Sequence, residues 1–164
     1  MIKTVKILSI IVVFGGLLVF SAAAENGWTK EALQEMYMEY LTQEGYRPEI
    51  DEDGDIRFRV LGNNYFIIVD EKDQQFFQIY TGFWLDSLTL ISKEEAHDLV
   101  NFANRRSKVA KISLSSPEDT NRIIVSITAE LLVNEPQDFA LILPRSLSLI
   151  ANAKNIFQTQ LASK

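Results

Sequence analysis

The chain has 164 residues, 47% of them hydrophobic and 10% aromatic, with 22 acidic side chains against 16 basic ones and no cysteine. One domain of this size buries a substantial core, and the net charge of −6 disfavours nucleic acid and anionic lipid surfaces as partners. The lack of cysteine excludes disulfides, thiol nucleophiles and cysteinyl metal sites, so the fold has to rest on its core.

Lys3 and Lys6 give the N-terminus a positive region, Ile7 to Phe20 is an apolar run, and Ala22-Ala23-Ala24 supplies small residues at both specificity positions of a cleavage site. Residues 1–24 therefore read as a signal peptide. The expected product starts at Glu25, is exported to the periplasm or secreted, and forms a single domain over 25–164 with no stable membrane insertion. A retained segment would instead tether the domain to the membrane, but the apolar run is short for a span of about 20 residues and is interrupted by Gly15-Gly16. Cleavage would leave 14 basic residues against 22 acidic ones, a net charge of −8. There is no internal repeat, low-complexity tract or linker.

From Thr29 to Glu44, the positions of Leu33, Met36, Tyr37, Tyr40 and Leu41 mark one face of a helix, with Gly45 as its stop. The period then changes. A short strand near Glu49 to Asp51 precedes Ile56, Phe58 and Val60, which alternate with Arg57 and Arg59, followed by the β-rich run Tyr65 to Val69 and the aromatic run Phe76 to Trp84. Asp53-Gly54 and the cluster Gly62-Asn63-Asn64 supply residues that tolerate the positive φ of hairpin turns, and connections this short make an antiparallel meander. Ser92 and Glu95 form a capping-box pattern with Ile91 as a staple, opening a second helix that runs to about Arg106. Val109 to Ser115 and Arg122 to Leu132 read as two more strands joined by a Ser-Pro-Glu-Asp turn. A closing helical pattern begins near Pro136, with Pro144 inside it expected to kink the helix or divide it in two. The order α-β-β-β-β-α-β-β-α is an α+β fold with helices packed on an antiparallel sheet.

The run Glu44-Gly45-Tyr46-Arg47-Pro48, then Asp51-Glu52-Asp53-Gly54-Asp55-Ile56-Arg57-Phe58, then Gly62, Tyr65 and the strand up to Asp70 resembles the YbjN-domain family. The stretch Asn101 to Lys111, with Asn104-Arg105-Arg106 leading into Val109-Ala110-Lys111, is similar as well. The resemblance implies a fold like that of type III secretion chaperones, often dimeric, in proteins loosely labelled as sensory transduction regulators. It brings no catalytic residues.

Read for chemistry, the residues offer few candidates. Asp51, Asp53 and Asp55 make an acidic turn, and the meander places it at the same end of the sheet as Asp70 and Asp73, so the two turns could share a hard cation. The EF-hand pattern does not fit, since Gly54 stands fourth from Asp51 and Gly62 stands twelfth. Acidic solvated turns explain the same residues. His97, the only histidine, lies beside Glu94, Glu95 and Asp98 on the second helix and reads as a surface residue, there being no nucleophile elbow to serve. Arg105, Arg106, Lys108 and Lys111 form one basic cluster, suited either to an anionic ligand or to the negative end of a helix dipole. No P-loop, dinucleotide fingerprint or zinc-protease motif occurs, and no catalytic residue, metal or cofactor is assigned.

The sheet is more telling. Either two-residue register of the hairpin near Gly62 puts Phe58 and Val60 on the face of Tyr65, Ile67 and Val69, and sends Phe66 and Ile68 to the face of Arg57 and Arg59. The next strand adds Phe76, Phe77, Ile79 and Tyr80, so apolar groups occur on both faces whichever register holds. Helices cover one face; the other needs a partner or the closing helix. The expectation is an exported, non-enzymatic, homodimeric module that binds a protein or peptide in a chaperone-like or regulatory role, with a cell-envelope hydrolase or a membrane-tethered sensory domain as alternatives.

Overall fold

The computed structural model describes residues 27–85, 91–116 and 123–164. The leader, and residues 117–119 of the Ser-Pro-Glu-Asp turn, lie outside them. The elements are α1 (Lys30–Gln43), β1 (Glu49–Ile50), β2 (Ile56–Val60), β3 (Asn63–Ile67), β4 (Phe76–Leu85), α2 (Lys93–Arg106), β5 (Lys111–Ser115), β6 (Ile123–Leu132), a short 3-10 turn (Pro136–Asp138) and α3 (Phe139–Ala162). The six strands form one antiparallel sheet in the order β1-β2-β3-β4-β6-β5. This is the α+β arrangement and element order expected from the sequence.

The helix starts follow local chemistry. The Thr29 hydroxyl accepts from Ala32 N–H at 3.2 Å. The Ser92 hydroxyl accepts from Glu95 N–H at 3.1 Å while the Glu95 carboxylate accepts from Ser92 N–H at 2.8 Å, the reciprocal capping box. Gly45, at φ 85°, ends α1 as a left-handed stop. All three helices pack on one side of the sheet. Their buried residues meet Ile56, Phe58, Tyr65, Ile67, Phe77, Ile79, Val125 and Ile127. Phe139 of α3 centres an aromatic cluster with Tyr37 (ring centroids 4.6 Å apart), Tyr40 (4.9 Å) and Phe77 (5.8 Å). Burial of that cluster pushes the Tyr37 hydroxyl up to about 12.

One local feature differs from the sequence reading, and a second removes one of the two outcomes expected at Pro144. The β2–β3 turn consists of Leu61 and Gly62, at φ 48° and 82°, and Asn63 and Asn64 already pair as strand with Val60 and Arg59. The helix-covered side demands that Phe58 oppose Tyr65, and that register forces a leucine into the left-handed region asparagine would have tolerated better. Pro144 does not divide the closing helix, which runs unbroken for 24 residues. Proline removes the bond to the Ala140 carbonyl, and the Tyr40 hydroxyl donates to that carbonyl at 3.2 Å, taking over the vacancy.

Candidate binding surface on the open face of the sheet

Strand pleating sends alternate residues to opposite faces, and the burial of β6 alternates accordingly: Ile123, Val125, Ile127 and Ala129 are buried, while Ile124, Ser126, Thr128 and Glu130 are only half-buried. The same holds for β4, where Phe77, Ile79 and Thr81 are buried and Gln78 and Tyr80 are not. Among the described residues, none on this second face is buried, and no described helix lies over it.

The register fixes what the open face presents. One row across it reads Arg57, Phe66, Tyr80, Thr128, Lys111. Phe66 and Tyr80 stack with ring centroids 4.9 Å apart and planes 13° off parallel. Burial first, and then the carboxylates of Asp55, Asp51 and Asp53, push the Tyr80 hydroxyl up. Trp84 and Ile124 pair two rows further along, beyond Gly82 and Ser126, and Phe76 pairs with Leu132, which is 80% exposed. The charged members are matched within the sheet, Arg57 to Glu49 at 2.8 Å and Lys111 to Glu130. The split of Phe66 and Ile68 from Tyr65 and Ile67 is thus as the sequence required. What sequence patterning could not say is that the closing helix joins the other two on one side.

The β1 end of this face carries two shallow clefts. One, of about 440 Å³, is lined by Ile50, Asp51, Glu52, Asp53, Arg57 and Phe66. The other, of about 620 Å³, lies between the segment 45–49 and Arg57, Phe58 and Arg59. At the opposite edge, Asn104 of α2 acts as a substitute strand. Its side-chain amide donates to the Ile112 carbonyl at 3.0 Å, and its carbonyl oxygen accepts from Ile112 N–H at 2.8 Å. Gln74, before β4, holds Trp28 in the same manner, accepting from its N–H at 3.0 Å and donating to its carbonyl at 2.7 Å. Asn104 figured in the sequence only as part of the family resemblance, without a role, and Gln74 not at all, because a lone Asn or Gln gives no sign of what it will bond.

The other candidates fall into place. The acidic turns share one end of the sheet, as the meander requires, but their carboxylates serve their own backbone. Asp51 accepts from Asp53 N–H and Asp55 N–H (3.1 and 2.9 Å), Asp55 from Val69 N–H (2.9 Å) and Asp70 from Lys72 N–H (2.8 Å). Asp73 ends that turn, its carbonyl accepting from Phe76 N–H at 3.1 Å. Among the described residues, no group of three or more histidine or carboxylate side chains is placed to hold a metal ion. His97 is exposed on α2. Of the basic cluster, Arg105 and Arg106 occupy the last turn of α2, Arg106 lies 3.7 Å over the Phe102 ring, Lys111 pairs with Glu130, and Lys108 stays exposed. No helix among the described residues is long and apolar enough to cross a membrane.

No family model matches the chain, and no curated protein matches it. Among solved structures, YbjN from E. coli, described as a candidate transcription regulator, superposes with a TM-score of 0.57 at 15% sequence identity, covering 79% of this chain and 92% of its own. Identity that low speaks for the fold alone, and the fold is the one the sequence resemblance implied: a six-stranded antiparallel sheet with three helices on one side, of the YbjN type.

Proposed function

We propose that the protein is an exported, non-enzymatic binding module that holds a protein or peptide segment against the open face of its sheet, in a chaperone-like or regulatory role. The observation that carries this reading is the Phe66–Tyr80 stack in the middle of a face that no described helix covers. A cross-strand aromatic pair left partly in water stabilises a sheet only modestly, and such patches mark interaction sites. Export rests on the leader at residues 1–24, and the non-enzymatic reading on the lack of any catalytic motif in the sequence. The regulatory description of the E. coli neighbour fits a module that acts through protein partners, since a net charge of −6 disfavours direct contact with nucleic acid.

A second copy of the chain is the second reading. Arg57 and Lys111, the charged ends of the central row, are paired within the sheet, which limits like-charge repulsion between two copies of an acidic protein to Arg59 on this face. Light scattering of the exported protein, alone and with a permanently unfolded polypeptide, tests both. A monomer that binds the polypeptide, and loses it in Tyr80→Asp, supports the heterologous partner. A dimer that Tyr80→Asp dissociates supports the homodimer. A monomer that binds no polypeptide overturns the binding module.

A further inference from the structure

We propose that the β1–β2 edge of the sheet is the docking strip for an extended polypeptide segment carrying carboxylate side chains; this deepens the binding reading above and rests on it. The two edges of the sheet are treated differently. At β5 the outward backbone groups of Ile112 are already satisfied by Asn104, which blunts that edge against strand addition. At β1 the only protection is a strand two residues long that follows Pro48, and no described side chain bonds its outward backbone groups. Glu49 pairs with Arg57, and Asp51 N–H donates to the Asp55 carbonyl at 2.9 Å. Residues that exchange bonds with a neighbouring strand alternate along an antiparallel ladder, so the amide and carbonyl of the intervening Ile50 point away from the sheet. The Ile50 side chain is 49% exposed. An edge with a free amide, a free carbonyl and an apolar side chain offers what an added strand uses.

Charge then selects the occupant. The cleft of about 620 Å³ beside this edge is walled by Arg47 and Arg59. Neither has an acidic partner among the described residues, and Arg59 Nε is held by the Asn64 side-chain oxygen at 2.9 Å, which orients its remaining donors. Two arginines without counter-ions, in a chain of net charge −6, are the local complement of carboxylates, which guanidinium groups bind in bidentate fashion. The neighbouring acidic turn at Asp51–Asp53 repels a carboxylate and so sets which way along the edge such a segment lies.

The test uses the exported protein and fluorescence anisotropy with two labelled twelve-residue peptides of alternating threonine and valine, one with aspartate at two central positions and one with lysine there. The aspartate peptide is expected to bind at least tenfold tighter, and the double variant Arg47→Glu/Arg59→Glu to invert the preference. Ile50→Pro removes an amide that makes no bond within the fold, so the thermal midpoint is expected to stay close to that of the parent while affinity for both peptides drops tenfold. Equal affinity for the two peptides, or a preference that survives the arginine reversal, overturns the proposal. So does binding that Tyr80→Asp abolishes but Ile50→Pro and the arginine reversal leave intact, which would keep the open face as the binding surface and remove the edge. Failure of both peptides to bind overturns the edge proposal, and the binding reading falls with it only where the permanently unfolded polypeptide also fails to bind.

Discussion

On β6, Ile123, Val125, Ile127 and Ala129 are buried under the helices, while Ile124, Ser126, Thr128 and Glu130, each one residue further on, stay half open. The covered positions are apolar without exception, as close packing demands. The open positions mix an isoleucine, two hydroxyls and a carboxylate whose partner is Lys111, a composition set by cross-strand pairing and by whatever the face meets. One face carries the buried core of the domain, and the other is the surface to which the proposed binding is assigned.

The sharpest way to break that comparison is to remove one ring from each side. Phe139→Ala empties the centre of a cluster with Tyr37, Tyr40 and Phe77 and is expected to cost about 3 to 5 kcal/mol in urea unfolding. Phe66→Ala is expected to cost clearly less than Phe139→Ala, losing a stacked pair worth about 0.5 to 1.5 kcal/mol and the part of its ring that is buried, while weakening partner binding; equal costs would mean that the open face is structural after all. Asn104→Ala leaves the half-buried Ile112 amide and carbonyl without their partners, and a loss of about 1 to 3 kcal/mol is expected, with light scattering reporting any new association through the opened β5 edge.

A pH titration of stability sharpens the comparison at the end of the sheet. Burial is the largest influence on the Asp55 carboxyl and raises its pKa against the opposing bond from Val69 N–H. The folded state therefore holds that proton more tightly than the unfolded chain does. Its contribution is complete below the unfolded pKa and is lost as pH rises through the raised folded one. Asp55→Asn, which still accepts from Val69, is expected to flatten that fall; an unchanged profile would assign it to other carboxylates. The smallest effect is a gain. Leu61 is 97% exposed at φ 48°, so Leu61→Asn relieves a left-handed leucine without losing a contact and should add about 0.5 to 1 kcal/mol.

Much of this was legible in the residues because it is local. The capping box at Ser92 and Glu95, the stop at Gly45 and the opposition of Phe58 and Tyr65 each follow from spacing alone. Leu61 was missed because turn propensity favoured the asparagines, and tertiary burial of Phe58 and Tyr65 overruled it. The roles of Asn104 and Gln74 were missed because what they satisfy, the backbone of Ile112 and of Trp28, comes near only once the chain is folded. The open face was half legible. Its residues could be named from the pleat, but which face the helices take is a matter of three-dimensional packing.

The bond from the Tyr40 hydroxyl to the Ala140 carbonyl has a consequence for descent. The hydroxyl at position 40 is the donor that meets the Ala140 carbonyl where proline at position 144 supplies no amide to it. Relatives of this chain in which residue 144 regains an amide lose the selective reason for a hydroxyl at 40, and phenylalanine, which keeps the packing against Phe139, becomes its neutral replacement. The two positions, about a hundred residues apart in the chain, should therefore change together across the lineage.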